Sequence, residues 1–209
     1  MSKDVVIPIV FPDYKITLEI PKTEFDVIPG VDWDNVFSFS YKEKISNLGH
    51  AGVLFIDGQL GTTKYYEYGR YDPDSLGWVV KLRNLPDAEI NNGEIDPASL
   101  KKALSLISKN SGQSGKIEAV YIEAPNAFEA MLEYAERRKS QNANPKRRPY
   151  NITSNSCIHF AKGVVEAAKI ASPWMIDPRP NSYIGEFQED YPDLTFDSNR
   201  LVIEGLGVF

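Results

Sequence analysis

Only one cysteine, Cys157, occurs in the 209 residues. An internal disulfide is therefore excluded, and so is a zinc site built on thiolate pairs. Histidine is almost as scarce. His50 and His159 are the only two, too far apart in sequence for a metal-ligand spacing, so neither a metal nor another cofactor is expected. Positive charge is in deficit, with a formal net charge of -6, which argues against a general nucleic-acid binder. One basic stretch departs from that balance: Arg137, Arg138 and Lys139, then Lys146, Arg147 and Arg148. Its plain reading is a solvated helix end followed by a loop, and the alternative is a patch for an anionic surface or a partner protein.

Long hydrophobic runs are missing as well. The N-terminal MSKDVVIPIVFPDYK is broken by Asp4, two prolines and Asp13, too short an apolar run for a signal peptide or a membrane span. The expectation is a chain made in the cytoplasm, without stable membrane insertion, that leaves the cell by some other route if it acts outside. No segment repeats, and prolines and glycines are scattered rather than gathered into a linker. The length suits a single domain, 1–209, burying roughly 70% of its unfolded surface.

What is present reads as strands first and helices later. Val5–Val10 and Tyr14–Ile20 are rich in β-branched residues and separated by Pro12-Asp13, a turn pair. From His50 to Ile56 the chain is apolar on both faces, with Leu54 and Ile56 on the side of His50 and Ala51, Val53 and Phe55 opposite. Such a strand is central and covered on both sides. Asp57-Gly58 and Gly61 supply a turn, Lys64–Tyr71 a second strand rich in tyrosine, and Gly77–Leu82 a third. Asp96-Pro97 opens a helix to about Asn110. A strand follows over Lys116–Glu123, a helix from Ala127 to about Lys139, and a polar loop to Pro149. In SNSCIHFAKGVVEAAKIA, Ser154 or Asn155 suits an N-cap. Phe160, Ala161, Val164, Val165 and Ala168 then form one apolar stripe, which Cys157 begins. A Pro-rich surface loop after Pro173 leads to a short helix after Pro180.

A cysteine attacks only as thiolate, and a helix N-terminus favours that charge through its unpaired N–H groups and dipole. The same groups can hold the oxyanion formed on a carbonyl. His159, two residues after Cys157, is rotated to the far side of the helix and reads as a surface residue. His50, between Gly49 and Gly52 at the head of a central strand, is the candidate base. The plainer alternative is a buried inert cysteine and a structural histidine.

The stretch LGHAGVLFI, followed about a hundred residues later by PYNITSNSCIHFAKGVV, resembles the permuted branch of the NlpC-type papain-like fold, in which the histidine strand precedes the cysteine helix. GHAGVLFIDGQLGTTKYYEYGRYD and SPWMIDPRPNSYI resemble toxin domains of type VI secretion and Rhs effectors. Ser156 directly precedes the cysteine where the family has Asn, and Asn155 is displaced by one. The resemblance implies an α+β fold in which an antiparallel sheet packs against the helix carrying the nucleophile. It also implies a third polar residue that holds the histidine from the next strand. Residues opposite each other in a hairpin share a face. A two-residue turn at Asp57-Gly58 puts Tyr65 against His50, and a loop centred between Gly58 and Gln59 puts Glu67 there. Glu67 is preferred because a carboxylate accepts more strongly from an imidazolium.

The expected catalytic set is thus Cys157, His50 and Glu67, with Tyr150, Asn155 and Tyr65 as candidates for substrate-binding or oxyanion roles. The resemblance implies hydrolysis of a peptide amide through a thioester, with a peptidoglycan peptide as substrate. It further implies contact-dependent delivery into a target-cell periplasm, a secretion-apparatus carrier and a cognate immunity protein. The rivals are a lipid esterase or acyltransferase of the same fold and a non-catalytic binding module.

Overall fold

The computed structural model describes residues 3–17, 44–45, 49–72, 74 and 76–209. Thirteen strands run through them: β1 (Val5–Phe11), β2 (Ile16–Thr17), β3 (Lys44–Ile45), β4 (His50–Ile56), β5 (Thr63–Gly69), β6 (Trp78–Lys81), β7 (Ile90–Asn91), β8 (Glu94–Ile95), β9 (Ile117–Val120), β10 (Ile122–Glu123), β11 (Asp193–Asp197), β12 (Arg200–Ile203) and β13 (Gly207–Val208). The helices are α1 (Pro97–Ser111), α2 (Phe128–Ser140), α3 (Cys157–Ala167) and α4 (Pro180–Gln188). The strand expected over Tyr14–Ile20 is present as β2, and residues 18–20 lie outside the described part.

One antiparallel sheet of nine strands dominates, in the order β13-β12-β11-β9-β1-β4-β5-β6, with β10 also pairing β1. At its centre β1 pairs with β4 along its whole length, from Val5↔Ile56 to Phe11↔His50. On its other edge β1 pairs with β10 through Val5 and Val6, and with β9 through Ile9 and Val10. The interruption falls at Ile7-Pro8, where proline has no N–H to give to a ladder.

Both faces of the sheet are covered, which is why β1 and β4 are apolar throughout. On one face Leu100, Leu104 and Ile107 of α1 join Ile7, Ile9, Leu54, Ile56 and Tyr65. On the other, α2, α3 and α4 bring Met131, Phe160, Val164 and Phe187 against Val10, Ala51, Val53, Phe55 and Tyr66. The stripe expected on the cysteine helix is the one buried: Phe160, Ala161, Val164 and Val165.

Three expectations are corrected. The hairpin register pairs Gly52 with Glu67 and Leu54 with Tyr65, so its continuation sets Gly69, not Tyr65 or Glu67, level with His50. The cause is a longer turn. Asp57 Oδ1 accepts from the N–H of Gln59 at 2.7 Å and of Leu60 at 2.9 Å, and the chain closes only where the Asp57 N–H meets the Thr62 carbonyl. The N-cap of α3 is Ser156, not Ser154 or Asn155. At the C-terminus, beyond the last element expected, β11, β12 and β13 extend the sheet.

Candidate active site

Cys157 is the first residue of α3 and is 2% exposed. Its helix is started by a capping box: Ser156 Oγ accepts the backbone N–H of His159, and the Ser156 N–H donates to His159 Nδ1 at 3.4 Å. A serine cap with its partner at N3 fixes where the helix begins. His159 is therefore a half-buried capping residue rather than the surface residue expected. Burial and the nearby cations Arg148, Lys162 and Arg138 hold its pKa below the ordinary histidine range, so the imidazole stays neutral and Nδ1 can accept.

His50 begins β4 and is 6% exposed. Its ring stacks against Phe11, lies 5.0 Å from the ring of Tyr14 and meets Tyr71 edge-on. Nε2 stands 3.1 Å from the Tyr71 hydroxyl and 3.5 Å from Glu67 Oε2. Nε2 is thereby engaged, and the Cys157 thiol acts on the same ring as the further group that raises its pKa. Burial alone would lower the pKa of His50. The hydrogen bonds and charges of Cys157 and Glu67 outweigh it and push the group up to about 10.

Cys157 shows the converse. Burial would raise its pKa, but the His50 imidazole, the Tyr150 hydroxyl and the Ala51 backbone N–H carry it below the ordinary thiol range. The two shifts have opposite directions, and both favour charge separation between imidazole and thiol. Buried charges of this kind persist only when they are paired and hydrogen-bonded.

The carboxylate that completes the pair is held from several sides. Glu67, 7% exposed, accepts from the Tyr65 hydroxyl at 3.0 Å and from the Tyr71 hydroxyl at 3.1 Å, with Ser111 of α1 as a further partner. Burial would raise its pKa, and His50, Tyr65 and Ser111 together bring it below the ordinary value. Glu67 reaches His50 although it is not level with it, because a register offset of two residues keeps the same face of the sheet.

Gly52 makes room for this arrangement. A Cβ there would lie 2.2 Å from the Tyr65 hydroxyl. Tyr65 is fully buried, so it positions Glu67 and offers no surface to a substrate, contrary to the expectation for it. Asn155 is corrected too. Its amide donates to the Tyr68 hydroxyl at 2.6 Å and to the Pro149 carbonyl at 2.8 Å, and its Oδ1 accepts from Arg138. With both amide hydrogens engaged, Asn155 braces the loop before α3 and is not an oxyanion donor.

Tyr150 remains at the sulfur, its hydroxyl donating to Cys157 Sγ at 3.6 Å and its ring stacked on Tyr68. The loop delivers it by a tight turn in which Asn151 and Asn155 pair and Asn151 Oδ1 collects Thr153 and Ser154.

Tyr71 is the site residue that sequence reasoning missed in this role. The strand expected over Lys64–Tyr71 already puts it on the face of Glu67, four residues on, and the observed β5 ends two residues before it, at Gly69.

Fold and site together define an α+β domain that sets a thiol at a helix start against a buried imidazole–carboxylate pair. The chain belongs to the TseH-like type VI secretion system effector family, which matches residues 6–172. Among solved structures it is similar to the crystal structure of the type VI secretion system effector TseH. The two are 30% identical, the match covers 97% of this chain and 98% of that one, and the TM-score is 0.76. Nothing among curated proteins matches the chain. No helix of the described residues is long and apolar enough to cross a membrane.

Proposed function

We propose that the chain is a cysteine hydrolase of the permuted, NlpC-type papain-like kind, acting on a peptide amide of the bacterial cell wall. Residues 1–209 would form one such domain, delivered as an interbacterial effector into the periplasm of a target cell. The observation that carries this reading is the gathering of three buried groups, with Glu67 Oε2 3.5 Å from His50 Nε2 and the Cys157 thiol at the start of its helix acting on the same imidazole.

The chemistry follows from the charges. The Cys157 thiolate attacks the amide carbonyl carbon, and the carbonyl electrons move onto oxygen. The helix-start N–H of Cys157 and the Tyr150 hydroxyl are the donors next to that oxygen. The His50 imidazolium then gives its proton to the leaving amine, so the C–N bond breaks and a thioester remains. Neutral His50 next takes a proton from water, whose oxygen attacks the thioester and returns the thiolate. Throughout, Glu67 and Tyr71 hold Nε2, so the ring keeps its orientation in both halves of the cycle.

The family supports the effector setting, and from it we infer a cognate immunity protein and a carrier in the secretion apparatus. The order of the histidine strand before the cysteine helix supports the permuted papain-like assignment.

The test is expression in a bacterium with and without an added periplasmic signal, using Cys157→Ala and His50→Ala as controls. Toxicity confined to the periplasmic form, with cleaved muropeptides by mass spectrometry, is the expected result. Either substitution should abolish it, with turnover down about 10³-fold or more. Killing by the Cys157→Ala protein would refute the hydrolase, and released fatty acid with an intact wall would reassign the substrate to lipid.

A further inference from the structure

The basic stretch that reads in sequence as a solvated helix end does not lie flat on the surface. It lines a cleft of about 410 Å³ whose walls include Tyr68, Arg138, Lys146, Arg147, Arg148 and Asn155 and no carboxylate. Arg147 is neutralised and tied in place. It pairs with Asp72, donates to the carbonyls of Gly77, Asn142 and Asn144, and stacks on Trp78.

Arg138 lies over the rings of Tyr68 and Phe160 and donates to Tyr134 and Asn155, none of which carries negative charge. Lys146 and Arg148 are exposed, and among the described residues neither side chain has an acidic partner. Three cations therefore face one cleft without compensation, in a chain whose overall charge is -6. A concentrated positive site on an acidic protein suits one compact anion rather than an extended polyanion, which the rest of the surface would repel.

The cleft is also joined to the thiol. Tyr68, in its wall, stacks on Tyr150 with ring centroids 5.8 Å apart, and the Tyr150 hydroxyl reaches Cys157 Sγ. We propose that this cleft binds a carboxylate of an acidic peptide substrate whose scissile bond is presented to Cys157. The identity of that peptide as substrate rests on the hydrolase reading above, whereas the cleft's preference for carboxylate does not. Arg138, braced by two rings, provides a fixed cation, and Lys146 and Arg148 close on the anion from the loop.

The test measures binding without turnover. In the Cys157→Ala protein, the anisotropy of a fluorescein-labelled pentapeptide with two side-chain carboxylates is compared with that of the same peptide amidated at both. The acidic form should bind at least tenfold tighter, and Lys146→Gln with Arg148→Gln should remove the difference while leaving the melting temperature unchanged. In the protein with Cys157 intact, the double substitution should raise KM for the acidic peptide and spare kcat. Equal affinity for the two peptides would overturn the proposal. So would a preference that survives the double substitution, or tighter binding of a single-stranded oligonucleotide or inorganic phosphate than of the peptide. Selective binding with no turnover would sustain the carboxylate site and remove the hydrolase reading, so the two fail separately.

Discussion

The charge state of Cys157 is the most exposed point of the site's logic, and His50→Ala isolates it. In the native protein the imidazole is the largest influence holding the thiol below its ordinary range, against a burial effect that acts the other way. Removing the ring leaves burial, the Tyr150 hydroxyl and the Ala51 N–H, so the pKa must rise. An ordinary thiol near 8.5 is only about 1% ionised at pH 6.5, and a buried one less. A native thiol fully ionised at that pH would lose roughly 100-fold in reactive species, which is the upper bound of the effect. Part of that is offset because a thiolate of lower pKa is the weaker nucleophile, which leaves a net fall on the order of tenfold in alkylation rate.

The assay is the rate of iodoacetamide modification between pH 5 and 9, followed by mass spectrometry. The shape of the profile matters more than the absolute rate, because deleting the ring also opens the pocket. The native curve should stay high well into the acid range, and the His50→Ala curve should climb about tenfold per pH unit up to pH 8 or beyond. A native profile that already follows an ordinary thiol would refute the activation of Cys157 altogether, and an acid-shifted profile that His50→Ala leaves in place would refute the ion pair.

Two further predictions concern the carboxylate. Glu67→Gln should lower kcat/KM by about 10²-fold, less than loss of Cys157, because Tyr71 still holds Nε2 at 3.1 Å. The folded pKa of Glu67 is lowered, so its ionised form stabilises the fold above about pH 4.5, an advantage lost as the pH falls through the folded value. Melting of the Glu67→Gln protein should accordingly depend less on acid than that of the native protein. Gly52→Ala should force the Tyr65 ring off its 3.0 Å bond to Glu67, costing about 1–3 kcal/mol. It should lower both the melting temperature and turnover. A variant that melts and turns over like the native protein would show that the ring is not confined there.

Much of this arrangement is legible in the chain because parity and periodicity are local. Alternation over His50–Ile56 assigns every residue of β4 to a face, and both faces are indeed buried by separate layers. The helical stripe from Cys157 fixes which side of α3 faces inward. Turn length is less legible, since it depends on how Asp57 folds back on the next two N–H groups, and the expected register is off by two residues. Glu67 survives that error only because an even slip preserves the face. The C-terminal hairpin did carry a signal. Ser198 and Asn199 both have positive φ between the paired strands β11 and β12, and Leu194, Phe196, Leu201 and Ile203 alternate around them. Two such turn residues between alternating runs mark a hairpin.

The meeting of thiol and imidazole is the part that no one-dimensional pattern contains. Cys157 belongs to the layer on the Ala51 and Val53 face, whereas the ring of His50 packs with Phe11 and Tyr14 on the other side. Two groups on opposite faces of a sheet can touch only past the end of a strand. His50 is the first residue of β4 and Cys157 the first of α3, so each stands at its element's limit. Gly49 enters β4 at φ +73°, where a Cβ would strike Asn181 of α4 and approach the Phe11 carbonyl, so the strand's entry is fixed by close packing on both sides. The Ala51 N–H then points at the sulfur from the strand itself. A site built at the rim of two elements needs both to start at the right residue, so the Ser156–His159 capping box and the glycine at the mouth of β4 belong to the chemistry as much as the thiol does.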